Sequence, residues 1–184
     1  MSVAEDIKAG ENDALLAHMA ALPPILEDMR FALATPLPPG AAQFCAHGRA
    51  WAATYVETVQ QMVEYAETMS ATGRFGMMEE HLTLILVGEY LNQLHYGLPM
   101  SQGETVRPAD LGLVNLPGHD HEAVKALMRD GNMAQRRRAV AAHMVATGIT
   151  EADAGLDETH QIMRDQFRRF ADEKVAPFAH QWHL

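Results

Sequence analysis

One cysteine, Cys45, stands among the 184 residues, so no disulfide can close within the chain. That scarcity fits a reducing compartment. Cys45 falls inside an apolar helical pattern, where a free thiol packs as a small hydrophobe, and no histidine or asparagine partners it in a recognisable catalytic setting. Long hydrophobic runs are also missing. The longest, Leu82 to Val87, is far short of the roughly 20 residues that a membrane-spanning helix needs. The opening stretch MSVAEDIKAGEND is acidic and has no apolar centre, so it does not read as a signal peptide. These absences predict a cytoplasmic protein without membrane contact.

Positive charge is scarce as well: 14 basic residues face 24 acidic ones, for a formal net charge of −10. A non-specific grip on nucleic acid is excluded, because phosphates demand concentrated Lys and Arg. The arginines cluster at Arg136-Arg137-Arg138 and at Arg164, Arg168 and Arg169. Adjacent arginines on a helix point in different directions, which predicts solvated faces.

Signatures of chemistry are absent. There is no GxGxxG and no GxxxxGK[ST] phosphate loop. His119-Asp120-His121-Glu122 is the densest histidine cluster, but neighbours at a helix start diverge, and a metal site needs three or four converging ligands. Glu79-Glu80-His81 lacks a second histidine four residues from the first. The paired carboxylates Glu79-Glu80 and Glu64/Glu67 fall where exposed helix faces are expected, whereas general acid–base work requires a pKa-shifting cleft, which sequence does not show. Ser101-Gln102-Gly103-Glu104 offers two readings, a binding loop and a turn in a docked segment, of which the second is favoured. The expectation is no catalytic residue, no cofactor-binding residue and no metal ligand in this chain.

Strand signals are missing too, with no sustained period-2 alternation and no hairpin turn between β-branched runs. What is present is helix. The apolar set is rich in Ala, Leu and Met, which favours helix over sheet. Residues 11–34 read as a helix broken near Pro23-Pro24, and Pro36 to Gly40 as a linker. A long helix follows from Ala41 to Thr72, with a predicted inward stripe of Phe44, Gly48, Trp51, Tyr55, Val59, Met62, Ala66 and Met69 at alternating spacings of three and four. Gly73 and the short Arg74-Phe75-Gly76 connection force an antiparallel return over Met77 to Tyr96, ending at Gly97. Gly97 to Gly118 has no periodicity beyond a turn at Pro108, and loops of that length are often clamped onto a partner. Helices are predicted over 120–129 and 132–147, with Gly131 as C′ residue and Asn132 as N-cap. A linker, Gly148 to Gly155, precedes a last helix capped by Asp157 and carrying Met163, Phe167 and Phe170 on one stripe. Pro177 should kink or end it at Ala176. The fold class is all-α: a helical bundle containing a long antiparallel hairpin, then a terminal helix.

That terminal helix is the sharpest feature. Ile162-Met163-Arg164-Asp165-Gln166-Phe167-Arg168-Arg169-Phe170-Ala171-Asp172-Glu173-Lys174-Val175-Ala176-Pro177 resembles the first helix of the acyl-CoA dehydrogenase family, of the form R-x-x-x-R-x-F-A-x-E-x-[IV]-x-P. Phe75-Gly76, Gly88-Glu89-Tyr90-Leu91 and Pro99 to Leu111 resemble the helical extension of the family branch that acts on methylsuccinyl-CoA. The resemblance implies a boundary: residues 1–155 as the extension domain and 156–184 as the first helix of the catalytic fold. It implies a parent that uses FAD for αβ-desaturation of an acyl-CoA thioester. The parent's flavin domain and catalytic glutamate would lie beyond Leu184, so no catalytic or flavin-contacting position carries over to any residue here, and FAD belongs to the implied parent alone. Residues 157–184 would then contact the remainder of the dehydrogenase or another copy of the chain, making a homo-oligomer. A free-standing helical interaction module is the alternative, and a small catalyst or metal protein a more distant one.

Overall fold

The structure, a computed structural model, describes residues 10–37 and 43–183. Those residues are all-α apart from one short β-hairpin. Helix α1 (Glu11–Met19) stops two residues before α2 (Leu22–Ala34) begins. The break sits just ahead of Pro23-Pro24 because proline is tolerated in a first helical turn, where its missing N–H has no partner to lose. Pro38 to Ala42, which includes most of the expected linker and the start of the expected long helix, lies outside the described residues.

Helix α3 (Gln43–Ala71) turns at Gly73, whose φ of +67° favours glycine, and returns as α4 (Met77–Tyr96). The Glu79 carboxylate accepts the Gly76 N–H at 3.1 Å, an N–H that it shares with the Arg74 carbonyl, and closes the start of α4. Helix α3 packs on α2 and α4, while α4 also packs on α5 (Glu122–Asp130) and α6 (Ala134–Thr147), and α1 packs on α5. Leu22, Leu26 and Met29 meet Val56, Val59, Leu84, Val87, Leu91, Val124 and Leu127 in one fully buried core.

The inward face of α3 differs from its predicted stripe. Gly48, Val59, Ala66 and Met69 are buried as expected, but Cys45, Ala52, Val56 and Val63 complete the seam. Trp51 is 44% exposed and Phe44 39%, while Tyr55 and Met62 lie half-buried at the margin. Alanine and valine let α2 and α4 approach closely, and the bulky aromatics are turned to the rim.

The expectation of no strand is also corrected. Within the 97–118 segment, β1 (Leu98–Ser101) pairs antiparallel with β2 (Glu104–Val106), with Leu98 opposite Val106 and Ser101 opposite Glu104. Strands of four and three residues are too short to show an alternating pattern. A 3-10 turn over Pro108–Leu111 follows, at the expected proline. Leu98, Val106, Leu111 and Leu116 enter the core, so this segment is clamped to the bundle.

Gly131 does not serve as a left-handed C′ residue: its φ is −65°, and Met133 rather than Asn132 is the N-cap of α6. Close approach explains the glycine. A Cβ at Gly131 would meet the Leu127 carbonyl at 2.5 Å and the Leu84 carbonyl at 2.8 Å. A Cβ at Gly88 would likewise meet the Leu127 carbonyl at 2.7 Å and Gly131 Cα at 2.9 Å. Asn132 instead donates to Glu89 and accepts from Arg137 Nε at 2.7 Å.

The described residues through Ala152 form one compact unit and those from Asp153 a second. The second holds α7 (Glu158–Phe170), a π-helical turn (Ala171–Val175) and α8 (Ala179–His183). Asp157 caps α7 as expected, its Oδ1 accepting the His160 N–H at 2.9 Å. The α-helical course ends ahead of Pro177, and the Ala176 N–H reaches the Ala171 carbonyl at 2.8 Å. Among the described residues no helix is long and apolar enough to cross a membrane.

The exposed aromatics separate from the true core in a stability measurement. Trp51→Ala should cost about 1 kcal/mol or less, whereas Leu91→Ala should cost about 2–5 kcal/mol. Urea denaturation of both variants checks the order. Equal costs would place Trp51 in the core after all.

Candidate docking surface

Five polar or charged residues of the first unit are buried, Arg49, His81, Thr83, His95 and Arg136, and three of them bear most on what this chain can do. Arg49 is buried on α3. Its Nε and Nη2 donate to the Leu111 carbonyl at 3.1 and 2.8 Å, and its Nη1 donates to the carbonyls of Leu33 (3.4 Å) and Thr35. The guanidinium thus joins the end of α2 and the 3-10 turn to the hairpin.

Arg136 corrects the expectation of a solvated arginine cluster, because it is fully buried. Nε donates to the Asp130 carbonyl at 3.0 Å, Nη1 donates to Asn12 and approaches His81 Nδ1 at 3.4 Å, and Nη2 lies 3.5 Å from Glu11. Only Arg137 and Arg138 remain on the exposed side, as do Arg164, Arg168 and Arg169 in the second unit. An arginine one step along from two exposed ones meets α1 and α4 because a helix turns about 100° per residue. Glu80 also departs from the exposed reading. It is partly buried beside this cluster, and burial raises its carboxyl pKa against the opposing pull of Asn12 and Arg136. Burial, and then the Arg136 charge, lower the His81 pKa. Glu64 and Glu67 are exposed as expected.

His95 is buried in the last turn of α4, with neither ring nitrogen hydrogen-bonded among the described residues. The His119 ring lies over it at 5.3 Å and packs edge-on against Tyr96 at 5.8 Å. Burial, with a smaller push from His119, lowers the His95 pKa to about 4. Of the 119–122 cluster, His121 is a cap, its Nδ1 accepting the Ala123 N–H at 3.2 Å, and Asp120 and Glu122 are exposed. Among the described residues no group of three or more His, Cys, Asp or Glu converges as metal ligands do. Ser101 Oγ donates to Glu104 at 3.3 Å across the hairpin turn, in keeping with a turn in a docked segment.

None of these clusters combines a nucleophile with a base. Their hydrogen bonds are made to backbone carbonyls and to one another, which orders the bundle. Chemistry of contact lies elsewhere. Across α7 to α8, Met163, Phe167, Phe170, Phe178 and Trp182 are exposed, Phe167 to 71% and Trp182 to 66%, and no residue of the three elements is buried. Phe178 and Trp182 stack at 6.1 Å. Monomeric proteins rarely leave so many large apolar side chains of one segment exposed.

No family model matches the chain. Over 144 residues, 77% of its length, it is 49% identical to the (2S)-methylsuccinyl-CoA dehydrogenase of Cereibacter sphaeroides. The chain is a homologue of part of an acyl-CoA dehydrogenase. It spans about a quarter, 26%, of the length of that relative. The homology covers more chain than the second unit contains, so it takes in bundle residues as well as, or instead of, the terminal helix.

Sequence reasoning missed Arg49, Arg136, Glu80 and His95. For Arg49 a signal existed: it is the only Lys, Arg, Asp or Glu between Gln43 and Val56. The other three carry no local mark, since what buries them comes from different helices.

Two measurements follow from the buried groups. Because the folded His95 pKa lies below the usual 6.5, the unfolded chain binds more protons between the two values. Stability should therefore be full above about pH 6.5 and fall by up to roughly 3 kcal/mol as the pH drops towards 4. His95→Gln should flatten that part of a pH–stability profile. Arg136→Met should cost about 3–5 kcal/mol by stranding the partners of a buried cation, to be read from urea midpoints.

Proposed function

We propose that this chain is the N-terminal helical region of an acyl-CoA dehydrogenase-type flavoenzyme, with a structural and docking role and no catalysis of its own. The observation that carries this is the 49% identity over 144 residues to a protein of which the chain spans 26%. The parent reaction is FAD-linked αβ-desaturation of an acyl-CoA thioester, with methylsuccinyl-CoA as the substrate that the relative's name supports. FAD is a cofactor of that parent, and no residue of this chain is assigned to it. The exposed stripe of Phe167, Phe170 and Trp182 gives the second unit its task, which is to pack against the remainder of such an enzyme. Each of these side chains gains roughly 1.5–3 kcal/mol when fully covered. Their exposure supports a docking role over an enzymatic one, and the parent is an oligomer in this reading.

The purified chain should carry no flavin absorbance and should not desaturate methylsuccinyl-CoA or another acyl-CoA with an artificial electron acceptor. Near-stoichiometric FAD or measurable turnover would overturn the assignment. Colourless, inactive protein is the expected result.

A further inference from the structure

The second unit carries one helical irregularity, and it falls in the middle of the exposed stripe. Between α7 and α8, Ala171–Val175 form a π-helical turn in which the Ala176 N–H reaches the Ala171 carbonyl, five residues back, at 2.8 Å. Such a turn holds one residue more than an α-turn, so whatever follows it is set back by about 100° around the helix axis. Pro177 accounts for the widening. It has no N–H, and its ring would press on the Glu173 carbonyl of a regular helix.

The set-back decides which side chains share a face. With Met163 as zero and about 100° per residue, Phe167 lies at about 40° and Phe170 at about −20°. An unbroken α-helix would continue with Lys174 at about 20°, inside the stripe. It would turn Val175, Phe178 and Trp182 away to about 120°, 60° and 100°. Set back by the extra residue, those three fall at about 20°, −40° and 0°. Lys174 leaves the stripe and Val175 takes its place. Met163, Phe167, Phe170, Val175, Phe178 and Trp182, all exposed, then lie within about 40° of one line over about five turns. Contacts on both sides of the helix agree with this phase. Phe178 stacks on Trp182, one turn away, at 6.1 Å. Off the stripe, Asp165, Arg168, Arg169, Asp172 and Glu173 line one shallow depression that runs from α7 across the π turn.

We infer that the π turn is a phasing device: it merges two apolar stripes that would otherwise diverge into a single face, shaped for one continuous groove between helices of the partner. The inference rests on the docking role proposed above and states how that role is met. Inserted residues of this kind re-aim side chains without ending the helix, which is why π turns recur at functional sites. Five turns of large side chains are more than a small molecule covers, and a stripe with no charged member suits an apolar protein groove. The occupant is the remainder of the enzyme, since a relative of which the chain spans 26% has most of its length left to supply such a groove.

The test is thermal unfolding of a fusion in which the full 184-residue chain stands in for the corresponding residues of the Cereibacter sphaeroides relative. Phe167→Glu places a charge in the covered stripe and should lower the melting temperature by about 3 °C or more. Pro177→Ala lets the helix run on in α form, returns Lys174 to the stripe and should lower it as much. Deleting Asp172 from the Pro177→Ala variant removes the extra residue and restores the phase within a regular helix. That second change should bring the melting temperature back to within about 1 °C of the wild type. Restoration by a deletion is an outcome that a merely local role of the proline does not give. A Phe167→Glu fusion that melts with the wild type overturns the docking role, and this inference with it. If Phe167→Glu melts lower but Pro177→Ala does not, the inference alone is overturned. The same holds if deleting Asp172 leaves the Pro177→Ala loss in place.

Discussion

A buried guanidinium held by backbone carbonyls organises the first unit. Arg49 is buried on α3, and burying a cation is costly unless every donor finds an acceptor. Its acceptors are backbone carbonyls, at Leu33 and Thr35 beyond one side of the helix and at Leu111 beyond another. Carbonyls can serve only if their segments are fixed, so the end of α2 and the 3-10 turn must both come to α3. Gly48 makes the approach possible: a Cβ there would lie 2.7 Å from Val106 Cγ1 and 3.0 Å from Leu111 Cδ2. The segment that looked structureless in sequence is held at this point, and from it follow the short hairpin and the burial of Leu98, Val106 and Leu111.

The opposite side of the hairpin is built on the same principle with different groups. Gly88 and Gly131 bring α4 against the end of α5 at near backbone contact. Arg136 then reaches in from α6 to Asp130, Asn12 and Glu11, tying the first helix to the last ones of the bundle. Buried arginines here take the place that a larger apolar core would fill. Such groups specify geometry more than they add net stability, because their desolvation offsets much of what their hydrogen bonds return.

The two units contrast in how they satisfy their apolar residues. Within the bundle the core is closed, and aromatics such as Trp51 are left at its edge. In α7 to α8 every apolar residue is exposed and the charged ones occupy the remaining face. The stripe therefore finds no cover within its own unit.

Much was written locally in the sequence. The helical hairpin, its glycine turn, the Asp157 cap, the break ahead of Pro23 and the end before Pro177 depend on propensities and dihedral limits that act over a few residues, and the structure places them as the residues predict. The kinship with an acyl-CoA dehydrogenase was legible in the same local way, as short stretches of residues. Three-dimensional packing decided the rest. Which of two overlapping stripes on α3 turns inward depends on how closely α2 and α4 approach, and that distance is set by Ala52 and Val56 meeting residues far away in the chain. Arg136 is buried while Arg137 is not because α1 and α4 occupy one side of α6 only. Gly131 is glycine for the sake of Gly88, 43 residues earlier, and no window of sequence contains both. Short-range forces fix elements, whereas burial is a property of the neighbours that the fold supplies.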